Sequence, residues 1–452
     1  MEEIVKSTDR ADSLYVFNGD LFADYVNFEK IKKETLSLGI PVEEISKLSD
    51  LYKYVIENCP SEQKRLDEIF FNNIMFSHLK NVYINTFSES VDIKTLKSRM
   101  KNVLDKIKRN SNIPNQYHSR ITEQGFYLMD SLRVTAPGTK FIAGFEVEEK
   151  NEQLKSAKIL LVEAVKNKKG LSKYFVAGID INFEGKFILT MIRNIGDIKE
   201  REKEEDLEDE EDYGYDYNLA RTIPSLYKYV KREIIDVLVR KVDKIDKKND
   251  RESLYNLCKE LDDKLLEDIR DEVQRKTVGT IKRSVNELIN DLYDLDDRPP
   301  QSDKEDIMAN IESLMIANYI KTKHGSSNAA LSKQAKAKVL PGYTTKIKFM
   351  GNGSNRGATQ SAGSKQPVSA TDMFHSLYIS FKQALGLEVW GMSWFKDYNH
   401  TELKETGVIQ TSIYSQNTQF RVVFLPKNPL NKEIIYHVVR YINRQRQQET
   451  DN

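Results

Sequence analysis

Four strand-like runs close together in the chain limit its fold more than any other feature. Residues 141–149, 158–166, 174–183 and 186–193 are rich in Ile, Val, Phe and Leu, and their connectors are short and polar. Asn167-Lys168-Lys169-Gly170 reads as a turn and Glu184-Gly185 as a two-residue hairpin. Connectors this short predict an antiparallel β-meander over 138–199.

On either side the apolar period is helical. Leu48, Leu51, Tyr52 and Val55 recur at helix spacing, as do Leu66, Ile69, Phe70, Ile74 and Met75, and then Leu96, Met100, Val103, Leu104 and Ile107. Residues 1–137 therefore read as a mainly helical region, with Leu14–Phe17 as a short strand ahead of a turn. After an acidic linker, 200–217, Pro224 suits the first turn of a helix reaching about 246. Helices over 251–275 and 279–295 follow. Pro299-Pro300 breaks the run, and Ser302 caps a helix over 303–322. Residues 218–322 thus form a central helical block. A basic Gly/Ser-rich segment, 323–370, contains one short strand, Tyr343–Phe349. The last stretch, 371–447, reads as a small α/β unit: a helix from Thr371 to Leu385, strands 387–395, 407–414 and 418–425, and a helix over 430–446. The fold class expected is α+β.

The chain has 452 residues, 39% of them hydrophobic and 31% charged, enough for a sizeable core under a charge-rich surface. Its two cysteines, Cys59 and Cys258, lie far apart in helical contexts, which excludes a disulfide framework and a cysteine-based zinc site. The N-terminus is polar, and no run approaches the roughly 18 apolar residues of a membrane span. The expectation is a soluble cytoplasmic protein without a membrane contact.

Formal charge is zero, from 69 basic and 69 acidic residues, but the charges are segregated. Residues 321–371 carry eight lysines, one arginine and no acidic residue, whereas 200–216 carry eleven carboxylates and two basic residues. A basic segment with Gly/Ser/Asn turns neutralises phosphates and offers backbone N–H groups to their oxygens. Lys333, Lys336, Lys338, Lys346, Lys348, Arg356 and Lys365 are the candidate contacts, and Lys346 and Lys348 share one face of the expected strand. Arg440 and Arg444 on the last helix join them. The competing reading is a solvated lysine-rich loop. The acidic run is a spacer or a nucleic-acid mimic lying over the basic tract. No GxxxxGK[ST] occurs, so a phosphate-binding loop of that type is excluded.

The expected meander carries Glu146, Glu148, Glu163 and Asp180, with Lys166 nearby. Carboxylates on adjacent strands with a lysine are what a Mg2+-dependent nuclease uses to hold the ion and activate water. The spacing fits poorly: Glu163-Ala164-Val165-Lys166 is one residue too long to place the two side chains together. Alternating polar residues on a half-buried sheet explain the same pattern without chemistry. The histidines, 78, 118, 324, 375, 400 and 437, form no motif, and no GxSxG appears. Trp390, Trp394, Phe395 and Tyr398 cluster, with Tyr414 and Phe420 on the next hairpin; they read as core, with base stacking as the alternative.

The reading that follows is a non-enzymatic nucleic-acid-associated protein working in an assembly: a genome-coating or mobile-element protein, or a subunit of a defence complex. It would contact the phosphate backbone through a basic interdomain segment, with no metal or other cofactor, and would self-associate or join a protein complex. The alternatives are the Mg2+-dependent nuclease, and a protein-interaction scaffold built on helices 218–322.

Overall fold

The structure is a computed structural model that describes residues 15–109, 125–193, 222–294, 296–324, 330–351, 356–402 and 407–448. In chain order the helices are α1 (Phe28–Ser37), α2 (Leu48–Asn58), α3 (Gln63–Ser77), α4 (Ile93–Arg109), α5 (Ile223–Val230), α6 (Asp236–Leu238), α7 (Lys247–Leu292), α8 (Gln301–His324), α9 (Ala330–Ala337), α10 (Asp372–Ser376), α11 (Tyr378–Lys382) and α12 (Lys432–Gln448). The strands are β1 (Asn81–Thr86), β2 (Gly125–Tyr127), β3 (Lys140–Lys150), β4 (Gln153–Lys166), β5 (Ser172–Asn182), β6 (Phe187–Ile192), β7 (Gly342–Met350), β8 (Arg356–Gln360), β9 (Gly386–Phe395), β10 (Val408–Gln416) and β11 (Gln419–Phe424). Helices and antiparallel strands make an α+β fold. Contacts divide the chain into two units, each discontinuous in sequence.

The first unit comprises Met1–Leu79, Ser90–Gly185 and Arg193–Arg240. Strands β2, β3, β4 and β5 pair antiparallel in that order. Register puts Gly144, Leu160 and Gly178 in one row across β3, β4 and β5. A Cβ at Gly144 would come within 2.6 Å of the Phe71 ring, and one at Gly178 within 2.7 Å of Met75 Sδ. The two glycines thus let α3 lie close on this face. Helix α4 buries Leu96, Met100, Val103 and Ile107, the stripe its period predicts.

The second unit comprises Lys80–Glu89, Lys186–Ile192 and Lys241–Asn452. Its antiparallel sheet runs β6-β1-β11-β10-β9-β7-β8. One face is apolar and closed: Val82, Ile84, Leu189, Met191, Val422, Ile413, Trp390, Trp394 and Ile347 are all buried. Helices α7 and α12 cover it. The Trp394 ring lies 5.4 Å from Tyr441 of α12, and Cys258 Sγ of α7 lies 3.5 Å from Thr344 Oγ1. Both indoles are core, and both N–H groups are satisfied, by Thr344 Oγ1 at 3.0 Å and Thr411 Oγ1 at 2.8 Å.

Several elements depart from their expected form. Strand β1 lies inside the expected helical region 1–137, between two helices. Residues 15–18 are irregular and lead into a 3-10 turn, Gly19–Tyr25. The helix expected to reach about 246 passes through a π turn, Lys231–Ile235, and ends at Leu238. The two helices expected over 251–295 are one, since α7 runs through the open position Gly279. Strand β6, expected to close the meander, pairs with β1 in the second unit. The segment 323–370 lies within the second unit and contributes α9, β7 and β8 to it. The acidic run lies outside the described residues.

Candidate nucleic-acid interface

The second face of the same sheet is open only in part: Tyr83, Asn85, Thr190, Ser393 and Ser412 on it are buried, and the accessible part is the polar stretch over β8, β7, β10 and β11. Strand alternation that buries Ile347, Trp390, Ile413 and Val422 turns their neighbours the other way. Cross-strand register then lines up Lys348, Val389, Tyr414, Arg421 and Tyr83 on β7, β9, β10, β11 and β1. A second row holds Gln360, Lys346, Gly391, Ser412, Val423 and Asn81. Lys346, Lys348, Val389, Tyr414, Arg421 and Val423 are half-buried, and Arg356 and Gln360 on β8 are exposed.

Arg421 is the centre of this face. Its guanidinium lies 5.0 Å from the Tyr414 ring centroid and 5.8 Å from that of Tyr83, a cation between two rings. Burial raises the Tyr83 hydroxyl above its ordinary range, with Arg421 opposing the shift. Arg421 Nε is buried and has no hydrogen-bond partner among the described residues.

Among the described residues one carboxylate faces these cations. Glu388 is the extra residue of a bulge on β9, between Val389, opposite Lys348, and Leu387, opposite Phe349. It lies 3.5 Å from Lys348, 4.0 Å from Arg356 and 3.2 Å from Arg251 of α7. Lys346 has no ion-pair partner among the described residues. The face is therefore positive: Lys346, Lys348, Arg356 and Arg421 against Glu388.

The remaining candidates are dispersed. Lys336 is a correction: it is fully buried, 2.9 Å from Asp397 Oδ2 and 2.8 Å from the Asp397 carbonyl oxygen. With Leu331 and Ala335 it belongs to the inner face of α9, so it has no surface to offer a polyanion. That ammonium, with the Glu402 and Thr401 N–H groups, holds the Asp397 carboxyl well below its usual range. Lys338 is tied to Asp268 at 2.9 Å and donates to the Lys264 carbonyl. Lys333 on α9 and Lys365 after β8 are exposed, and Lys365 follows Ser364, whose carbonyl accepts from Tyr343 and Ser393. Arg440 and Arg444 stand on α12, which covers the closed face; Arg440 lies over Tyr436 and Arg444 is 3.9 Å from Glu260.

The carboxylates of the first unit fall on both faces of its sheet. Glu146, Lys158 and Asp180 form one row across β3, β4 and β5, and Glu148, Ser156 and Asn182 form the next. Lys158, 5% exposed, donates to Glu146 Oε1 at 2.9 Å and to Asn72 Oδ1 at 3.0 Å. Tyr127 donates to the other Glu146 oxygen at 3.2 Å, and Ser156 donates to Glu148 at 3.1 Å. Glu163 lies an odd number of residues from Lys158 along an unbroken ladder, so it faces the opposite side, 3.4 Å from Lys140. Lys166 sits at the far end of β4 and donates to Ser172 Oγ. The four carboxylates therefore do not converge. Among the described residues no three His, Cys, Asp or Glu side chains are grouped to hold a metal ion.

Among the histidines, His375 is buried and neutral in environment. Its Nε2 donates to the Ser369 carbonyl at 2.8 Å, and Ser313 Oγ lies 3.0 Å from Nδ1. Burial lowers its pKa to about 4. His437 stacks on Tyr398, centroids 4.8 Å apart. Among the described residues no helix is long and apolar enough to cross a membrane. The chain matches no protein-family model, no curated protein and no solved structure.

Proposed function

We propose that this is a nucleic-acid-associated protein whose contact surface is the open face of the second unit's sheet. The observation that carries the reading is the register that gathers Lys346, Lys348 and Arg421 on one side, with Tyr414 between them. Positive side chains fixed on a rigid sheet neutralise phosphates, release counterions and read no sequence. The chain then acts as a coating or assembly component rather than as a catalyst. Compared with a basic interdomain loop, the site is smaller and better ordered.

The test is binding of fluorescent oligonucleotides to the full chain, followed by anisotropy over a salt series. The Lys346→Ala, Lys348→Ala, Arg421→Ala triple variant should lose on the order of a hundredfold in affinity at low salt. Its log–log salt slope should shrink by about 2, three phosphates at ~0.7 each on a single strand. An unchanged affinity and slope would remove the proposal.

A second reading, docking of a protein partner on the central helices, has its own support. Leu288 and Leu292 of α7 are 63% and 74% exposed, and Val278, Ile307, Leu314 and Met315 add apolar surface on α7 and α8. The partner we favour is a second copy, because residues 273–292 of α7 carry Arg275, Lys276, Lys282 and Arg283 against Glu287 and Asp291, while residues 301–312 of α8 carry Asp303, Glu305, Asp306 and Glu312 against Lys304. Leu288→Glu with Leu292→Glu should lower the mass in solution measured by light scattering; an unchanged mass would remove this reading.

A further inference from the structure

The open row differs chemically from end to end, and that difference specifies the form of nucleic acid it takes. Lys348 stands at one end, Val389 and Tyr414 occupy the middle, and Arg421 follows. Strands lie about 4.8 Å apart, so Lys348 and Arg421 are separated by roughly 14 Å. A duplex would meet this row with its outermost groups, the phosphates, and keep its base faces stacked inside. The apolar middle would then oppose a ribbon of charge and contribute nothing.

A single strand presents both kinds of group at once. Its phosphates reach the lysines and its unpaired bases are free to lie flat on a ring or a guanidinium plane. Tyr414 supplies the ring and Arg421 a cation held over it at 5.0 Å, both half-buried. We infer that this face binds single-stranded nucleic acid, with an unpaired base stacked on Tyr414 and the backbone held by Lys346, Lys348 and Arg421. The inference rests on the nucleic-acid reading above and adds the strandedness and the stacking residue.

The experiment compares oligouridylate, oligothymidylate and a duplex of equal length on the full chain at matched salt. The variants are Tyr414→Leu, which keeps an apolar side chain of useful size without a ring, Tyr414→Phe, and Lys346→Ala with Lys348→Ala. Thermal unfolding of each variant separates loss of binding from loss of fold. Photo-crosslinking of the unmodified protein to a 4-thiouridine oligouridylate gives a readout that needs no variant. Single strands should bind more tightly than duplex. Tyr414→Leu should lose on the order of tenfold on single strands with an unchanged salt slope, while Tyr414→Phe should retain binding. The lysine pair should flatten the slope, and the crosslink should map to β10 or β11. Duplex binding as tight as single-strand binding, with Tyr414→Leu inert, would overturn the inference and leave phosphate binding standing. No binding of any probe would overturn both.

Discussion

The two charged rows of this molecule are built alike and end differently. In the first unit Glu146, Lys158 and Asp180 stand side by side across three strands, and the ammonium is 5% exposed and held by Glu146 and Asn72. In the second unit Lys348, Val389, Tyr414 and Arg421 form one row across four strands, half-buried, with Glu388 as the carboxylate that reaches it among the described residues. Register alone makes such rows; the sign of the neighbours decides their use. Alternating signs neutralise one another and become internal structure. Repeated positive sign leaves charge for something outside the chain.

The largest expected effect comes from breaking the closed row. Lys158→Met should destabilise the protein by about 3–5 kcal/mol, because it strands a mostly buried carboxylate at Glu146. Urea unfolding measures this, and a loss under about 1 kcal/mol would mean that the row is not held by its own charges. Acidification should also separate fold from binding. His375 has a folded pKa of about 4 against an ordinary 6.5, so its neutral form is the one the fold prefers. That preference stabilises the protein fully above about pH 6.5 and is lost as pH falls from 6.5 towards 4, by up to roughly 3 kcal/mol. The open row carries no histidine, so oligonucleotide affinity measured on folded protein should not follow that curve.

Smaller effects sharpen the contrast. Glu388→Gln removes the carboxylate facing Lys348 and Arg356 and should raise oligonucleotide affinity by about a few fold, with a steeper salt slope. Arg440→Ala with Arg444→Ala should change affinity by less than about twofold, because α12 stands on the closed side of the sheet. An effect as large as that of the lysines would move the interface to the helical side.

Much of the fold was legible because alternation and helical period are local. The strand runs, the amphipathic stripe of α4 and the shared face of Lys346 and Lys348 all follow from side-chain spacing within one element. The site was only half legible. Tyr414 and Arg421 lie on successive strands, and their apposition depends on where that hairpin turns. Tyr83 joins them from far upstream, which no local pattern reveals. The closed row depends on register too, and β3 carries irregularities at Ile142/Gly144 and Glu148/Glu149 that shift it. Lys336 did leave a local signal: it follows Leu331 and Ala335 on the stripe that α9 buries.

Strand β1 takes its place between β6 and β11, so Asn81 pairs with Ile192 on one side and Val423 on the other. A ribosome adding roughly 5–20 residues per second delivers the second partner many seconds after the first. Through that interval one edge of β1 stays unpaired, an open template for any other extended chain. Contacts this distant in sequence also close slowly once the chain is complete. The last half of the chain, expressed alone, would lack both β1 and β6 and expose the edge of β11 permanently. Such a fragment is expected to aggregate, and the tryptophan-lined sheet is expected to be the last part of the protein to become native.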